Sequence, residues 1–220
     1  MPTHTADADP RRLPRGPHRL TREEVERSQR DRLLTGAAEA VAAKGYAATS
    51  VADIIVRAGV SRTTFYQLFD DKLDCFLASS RMASDVVLSV LADELARIEA
   101  EGVTTPTDKL DRLLRAYLQT LADFPALARV FLVEVYAAGT AAIRQRRDSL
   151  EQFVDIVAAA QHGPPGLTAG TEPDQRFAAE VLVGAVSSMV TNAVGVGESD
   201  RLPEMHEPLM RLAARVLDTE

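Results

Sequence analysis

At 220 residues, 46% of them hydrophobic and 26% charged, the chain is long enough for one or two domains with real cores. A net charge of −7 argues against a non-specific nucleic-acid coat protein, and the single cysteine, Cys75, excludes an intrachain disulfide. Aromatics are only 5% and Trp is absent, so Ala, Leu and Val carry the apolar content, which favours helices over sheets.

The charge is uneven. Residues 1–75 hold 12 Lys and Arg against 11 Asp and Glu, a net +1, whereas residues 76–220 hold 13 against 21, a net −8. A mildly basic front on an acidic body directs any polyanion to the front. Residues 1–20 are rich in Pro, Arg, Asp and Thr without periodicity and read as a disordered arm, whose Arg11, Arg12, Arg15 and Arg19 could lie in a DNA minor groove. No apolar run of the kind a signal peptide needs is present there.

"TREE", 21–24, has the Thr-x-x-Glu form of a capping box, and Leu33, Leu34, Ala37, Ala38 and Val41 recur at helical spacing to about Lys44. Gly45 stands where a helix needs a left-handed end. Ser50 can cap a short helix over 51–58, Gly59 ends it, and Ser61 can cap a third helix over about 62–69. Asp71 caps a fourth, from Lys72 to about Ala100, long enough to leave one domain and enter another. Further helices are expected at about 107–122, 126–138, 140–161, 174–195 and 204–217, with a Gly/Pro loop at 162–173. The segment 181–197 is apolar but slightly short for a membrane span and contains Ser187, Ser188, Thr191 and Asn192, so it reads as a buried helix. The expected fold is all-α.

The stretch "GVSRTTFYQLFDDK", 59–72, carries the most chemistry. At 100° per residue, Phe65, Leu68 and Phe69 fall on one side of the third helix and Thr63 and Gln67 on the other, with Thr64 and Tyr66 beside them. So short a helix must pack on the two before it. Two short helices joined by a tight Gly-containing turn make a helix-turn-helix unit, whose second helix enters the DNA major groove. Arg62 can donate twice to a guanine, the Thr63 and Thr64 methyls can touch a thymine methyl, and Gln67 faces outward with them. The Tyr66 hydroxyl can bond a phosphate; Thr49 and Ser50 sit at a helix N-terminus that attracts one; Lys72 adds a cation nearby.

Residues 32–77 closely resemble the DNA-binding domain of the TetR family of bacterial transcriptional regulators. The resemblance rests on Gly45 and Tyr46, Thr49, Ile54 and Ile55, Ala58 to Ser61, Thr64 to Tyr66, Phe69, Lys72 and Phe76. It implies a homodimer on palindromic DNA, a C-terminal domain that binds a small molecule or stays unliganded, and DNA contacts from Thr49, Arg62, Thr64, Tyr66 and Lys72. Gln67 stands where the family often has His, and Asp71 where a small polar residue is common.

The expected organisation is thus an arm over 1–20, a helix-turn-helix domain over 21–77 and a helical ligand-binding and dimerisation domain over 78–220. In the last, Tyr117, Glu134, Tyr136, Met189 and Asn192 are polar or soft side chains within apolar helices and are the candidates for lining a ligand cavity. Arg144, Arg146 and Arg147 read as a solvated face, and the acidic body favours a neutral or cationic ligand over an anion. The helices at about 174–195 and 204–217 carry apolar stripes suited to a four-helix dimer interface. His4, His18, His162 and His206 are scattered, and no metal-ligand or nucleophile motif is present, so neither an enzyme, a cofactor nor a metal is expected. The expected function is a cytoplasmic, ligand-released repressor; the alternative is a small-molecule sequestering protein with a vestigial DNA-binding head.

Overall fold

The computed structural model describes residues 21–162 and 173–217, all helical or in short connections. The expected arm and all of the loop expected at 162–173 except its ends lie outside the described residues; His162 closes α8 and Pro173 opens α9. The chain runs through α1 (Arg22–Lys44), α2 (Val51–Ala58), α3 (Arg62–Leu68), α4 (Lys72–Ala100), α5 (Pro106–Asp123), α6 (Pro125–Arg129), a π-helical turn (Val130–Glu134), α7 (Val135–Ala138), α8 (Thr140–His162) and α9 (Pro173–Gly195). A 3₁₀ segment (Ser199–Met205) then leads into α10 (His206–Leu217).

Caps set the starts of the first four helices. Thr21 Oγ1 accepts from the Glu24 amide at 3.2 Å, and the Glu24 carboxylate accepts from the Thr21 amide at 2.6 Å. Ser50 and Asp53 repeat the arrangement on α2. Ser61 and Asp71 cap α3 and α4 through the amides of Thr64 and Asp74. Gly59 closes α2 at φ 61°, ψ 37°, the left-handed conformation that a residue without a Cβ adopts at little cost. Gly45 also has a positive φ, 81°, but its ψ of 157° turns the chain away from α1 rather than completing a left-handed cap.

Of four apolar clusters that hold the helices, three draw on α4 and the fourth joins Leu110, Leu182 and Ala213. Leu33, Leu34, Ala37, Ala40, Ile54, Ala58, Phe65, Phe69 and Cys75 join α1 to α4 at the front. A larger cluster in the C-terminal half runs from Ala83, Val87 and Leu91 of α4 through Leu118, Phe131 and Phe153 to Val190 and Leu209. Between them, Ala38 and Val41 of α1 and Phe76 of α4 pack on Val130, Val135 and Ala142. Helix α4 contributes to all three. Its 29 residues span about 43 Å at ~1.5 Å per residue, so a displacement at one end reaches the other.

Two sequence expectations are corrected. The helix expected over 126–138 is broken by the π-helical turn at Val130–Glu134, which inserts a residue and re-aims Glu134. The apolar run before Glu134 is compatible with either winding, so spacing alone could not reveal it. The last helix starts at His206, because Pro203 sits inside a 3₁₀ segment and has no amide to donate to an α-helical ladder.

Candidate DNA-binding surface and ligand cavity

The α3 surface is built from below. Phe65 and Phe69 are buried and Leu68 partly so, while Arg62, Thr63, Tyr66 and Gln67 are exposed, Tyr66 by 50%. The Tyr66 ring stands edge-on to Phe65, with centroids 5.3 Å apart, and Arg62 lays its guanidinium 5.8 Å from the Tyr66 centroid. The apolar rings therefore fix the helix, and the stacked Arg62–Tyr66 pair is presented together. Thr64 is partly buried, and its hydroxyl lies 2.8 Å from that of Ser61 within the cap.

Two arginines of α1 position this unit, and sequence reasoning missed both. Arg30 stacks 4.6 Å from the Phe69 centroid and reaches the Leu68 carbonyl at 3.4 Å; Arg32 reaches the Gly59 carbonyl at 3.4 Å. They hold the end of α3 and the turn before it. Their place on α1, within the turn that precedes Leu33 and Leu34, was the available signal.

Thr49 is a correction. It is buried, and its hydroxyl donates to the carbonyls of Gly45 at 2.8 Å and Ala40 at 3.3 Å. Its side chain is committed to closing the loop after α1 and is not offered to a phosphate. Ser50 remains exposed, but its amide and hydroxyl both donate to Asp53, at 2.8 and 2.5 Å. Lys44 completes that group, 2.6 Å from the Asp53 carboxylate. Its bond, with those from Ser50, holds the Asp53 carboxyl far below the ordinary range. The start of α2 thus already carries an anion. Lys72 is partly buried; its Nζ donates to the Tyr46 carbonyl at 3.0 Å and sits 4.2 Å from the Tyr46 centroid. It ties α4 to the loop after α1 while keeping a cation beside α3.

The C-terminal half holds a partly open apolar cavity of about 70 Å³ among α4, α5, α8, α9 and α10. Its wall includes Leu91, Leu114, Phe153, Leu182 and Ala213, with Tyr117 and Ser187 as the polar members. Tyr117 is where the sequence placed it, and burial pushes its hydroxyl up to about 12. The other four candidates lie elsewhere. Glu134 is buried at the junction of the two halves, where its carboxylate accepts from the Tyr46 amide at 2.8 Å and from Arg129 Nε at 3.2 Å. Tyr136, Met189 and Asn192 are exposed. Their helices are apolar enough to suggest inward faces, but α9 presents a two-sided surface. Among the three arginines read as a solvated face, Arg146 is buried, with only 7% of its surface exposed.

Outside the cavity, α9 shows Phe177, Val181 and Met189 to solvent, the turn after it shows Val196, and α10 shows Leu212. His206 is structural: its Nε2 lies 3.1 Å from the Asp111 carboxylate and 3.2 Å from the Asp111 carbonyl. Among the described residues no group of His, Cys, Asp and Glu is arranged to hold a metal.

Residues 33–79 match the family described as "Bacterial regulatory proteins, tetR family". This segment, about a fifth of the chain, is what carries the TetR-family match. The HTH-type transcriptional activator FasR of Mycolicibacterium smegmatis is 36% identical over 107 residues, 49% of this chain and 43% of that protein. The match thus spans less than half the length of that relative. Two solved TetR-like folds resemble nearly the whole structure. The fatty acid degradation regulator FadR of Bacillus halodurans superposes with a TM-score of 0.70 at 21% identity, over 87% of this chain and 95% of the other. FadR of Bacillus subtilis, solved in complex with stearoyl-CoA, gives 0.68 at 18% identity, over 86% and 98%. At such identities the likeness shows the fold. All three are described as regulators, two of them of transcription.

Proposed function

We propose that this TetR-family chain is a cytoplasmic, homodimeric regulator that grips a palindromic operator through α3 and lets go when an acyl-chain amphiphile enters the C-terminal cavity. The observation that carries the proposal is the α3 surface, where two buried rings anchor the helix and Arg62, Thr63, Tyr66 and Gln67 stand free. A folded core has no need of an exposed tyrosine stacked with an arginine. A major groove uses both, the guanidinium for base edges and the phenol for a phosphate. Thr64, Ser50 and Lys72 flank this face; Lys72 supplies charge toward the backbone.

The dimer rests on α9 and α10. Phe177, Val181 and Val196 are 63%, 48% and 75% exposed, and Leu212 is 44% exposed, an apolar strip along two adjacent helices and the turn after α9. Two copies pairing through these helices form a four-helix interface, placing the two α3 helices one DNA turn, ~34–36 Å, or a longer multiple apart. Met189 and Asn192 belong to this face rather than to the cavity.

The ligand reading draws on the cavity's apolar wall and on the stearoyl-CoA held by the Bacillus subtilis neighbour. At about 70 Å³, the space of two or three waters, the cavity accepts a long chain only by parting its helices. A ligand that fits only the widened state binds that state better and so shifts the equilibrium. Leu91 of α4 lines the cavity, and Phe153 lies 6.0 Å from Phe131 of the π-helical turn. Widening therefore pushes both α4 and the turn that ends in Glu134, and the two α3 helices change spacing. Release relieves repression where the operator overlaps a promoter.

A mobility-shift titration with DNA flanking the chain's own gene, run without ligand, with stearate and with stearoyl-CoA, tests this. Retarded DNA that is freed by an acyl compound is the expected result. Binding of such a compound with no DNA retarded would favour the sequestering protein with a vestigial head.

A further inference from the structure

The cavity has a charge beside it. Arg146 projects from α8, and its Nη2 donates to the hydroxyls of Ser187 at 2.8 Å and Thr191 at 3.3 Å, both on α9. Ser187 is also a residue of the cavity wall. Arg146 Nε is buried with no hydrogen-bond partner. Among the described residues no carboxylate lies within ion-pair distance of the guanidinium. What neutralises it is two hydroxyls and two ring faces, Phe131 at 5.8 Å and Tyr136 at 5.7 Å from its centre.

Such an arrangement is costly for folding alone. A guanidinium taken out of water needs a counter-charge or a full set of bonds, and hydroxyls and rings supply only part of either. The unpaired donor also has a geometry. Nε and Nη2 are the two parallel donors along one edge of the guanidinium, the edge that a carboxylate meets with both oxygens. Here Nη2 is held by exchangeable hydroxyls and Nε by nothing. Ser187, on Nη2, is the cavity-wall residue that a ligand's head would displace. The charge is felt inside: Arg146 acts against the rise that burial imposes on the Tyr117 hydroxyl in the same cavity.

We infer that Arg146 is the head-group anchor of the ligand cavity and that it selects an amphiphile ending in a free carboxylate, paired along the Nε–Nη2 edge in place of Ser187, with the apolar tail among Leu114, Phe153 and Leu182. This inference rests on the reading of the cavity as an acyl-chain site and names the chemical class of its ligand. It reverses the expectation from net charge: the acidic surface says little about a cavity that carries its own buried cation. A thioester has no charge where the chain begins, so it would leave Arg146 unpaired.

The test compares dodecanoate, dodecan-1-ol and dodecanoyl-CoA by displacement of a fluorescent acyl probe from the full-length protein and from R146M, with circular dichroism of each. In the wild type the acid should bind about 10- to 100-fold more tightly than the alcohol, the worth of a hydrogen-bonded charge. R146M should lose most of that preference, binding the acid no more tightly than the alcohol. Equal affinity of the wild type for acid and alcohol would overturn the inference even if R146M failed to fold. So would a folded R146M that still prefers the acid, or a wild type that prefers the thioester to the acid. If the chain compounds displace the probe without such selectivity, the cavity reading survives and the anchor falls. If none displaces it, both fall.

Discussion

Removing the Glu134 carboxylate should loosen the junction between the two halves by a measurable amount. Glu134 is 6% exposed and accepts the Tyr46 amide at 2.8 Å, a hydrogen bond to a charged group worth about 1.5–3 kcal/mol. Its pair with Arg129 is partly solvated, with 32% of the arginine side chain exposed, and adds no more than about 1 kcal/mol. Glu134→Ala should therefore cost roughly 2–4 kcal/mol. Because Ala38, Val41 and Phe76 share a core with Val130 and Val135, the halves should melt together, with Tm lower by roughly 5–15 °C. Glu134→Gln keeps an oxygen for the Tyr46 amide and should lose about half as much free energy. The same contact links the π-helical turn to the loop that holds Lys72, so Glu134→Ala should also weaken the ligand's effect on DNA affinity. Thermal melting by circular dichroism and a ligand titration of DNA binding read the two effects. A Glu134→Ala protein that melts within about 1 °C of wild type and releases DNA normally would refute the clamp.

Other outcomes follow from single side chains. Tyr66→Phe should weaken binding to all DNA sequences alike, by about 2- to 10-fold, without changing the salt dependence, since a neutral phosphate contact is lost; fluorescence anisotropy on several duplexes checks this. Val181→Asp puts a charge on the exposed apolar strip of α9 and should shift the sedimentation coefficient to that of a monomer; an unchanged dimer would remove α9 from the interface. Cys75 is buried, and burial pushes its thiol up to about 12, so at pH 8 it should resist iodoacetamide in the folded protein and react only as the chain unfolds.

Much of the DNA-binding half was legible because its signals are local. Thr21, Ser50, Ser61 and Asp71 each announce a helix start by capping chemistry that acts within four residues, and all four caps are present. Phe65, Leu68 and Phe69 could be assigned to one face from the helical period alone. What was not legible depends on distant partners. Thr49 looks like a helix-start hydroxyl, and only the approach of the Gly45 and Ala40 carbonyls shows that it closes a loop. Glu134 sits in an apolar helix, as a cavity residue would, until a π-helical turn sends it 88 residues back to Tyr46. Arg146 belongs to a run, Arg144 to Arg147, that reads as solvated. Its burial depends on α9 crossing above it to bring Ser187 and Thr191 within reach.

The central claim is that α3 reads DNA with the face that carries Arg62 and Tyr66. Selection of bound fragments from a pool of random duplexes, run in parallel with wild type and Arg62→Ala, tests it most directly. The wild type should enrich an inverted repeat with half-sites about one helical turn or a longer multiple apart, and Arg62→Ala should lose base preference at one position in each half-site while keeping the rest. No enriched sequence from the wild type, or the same sequence enriched equally by Arg62→Ala, would contradict the account.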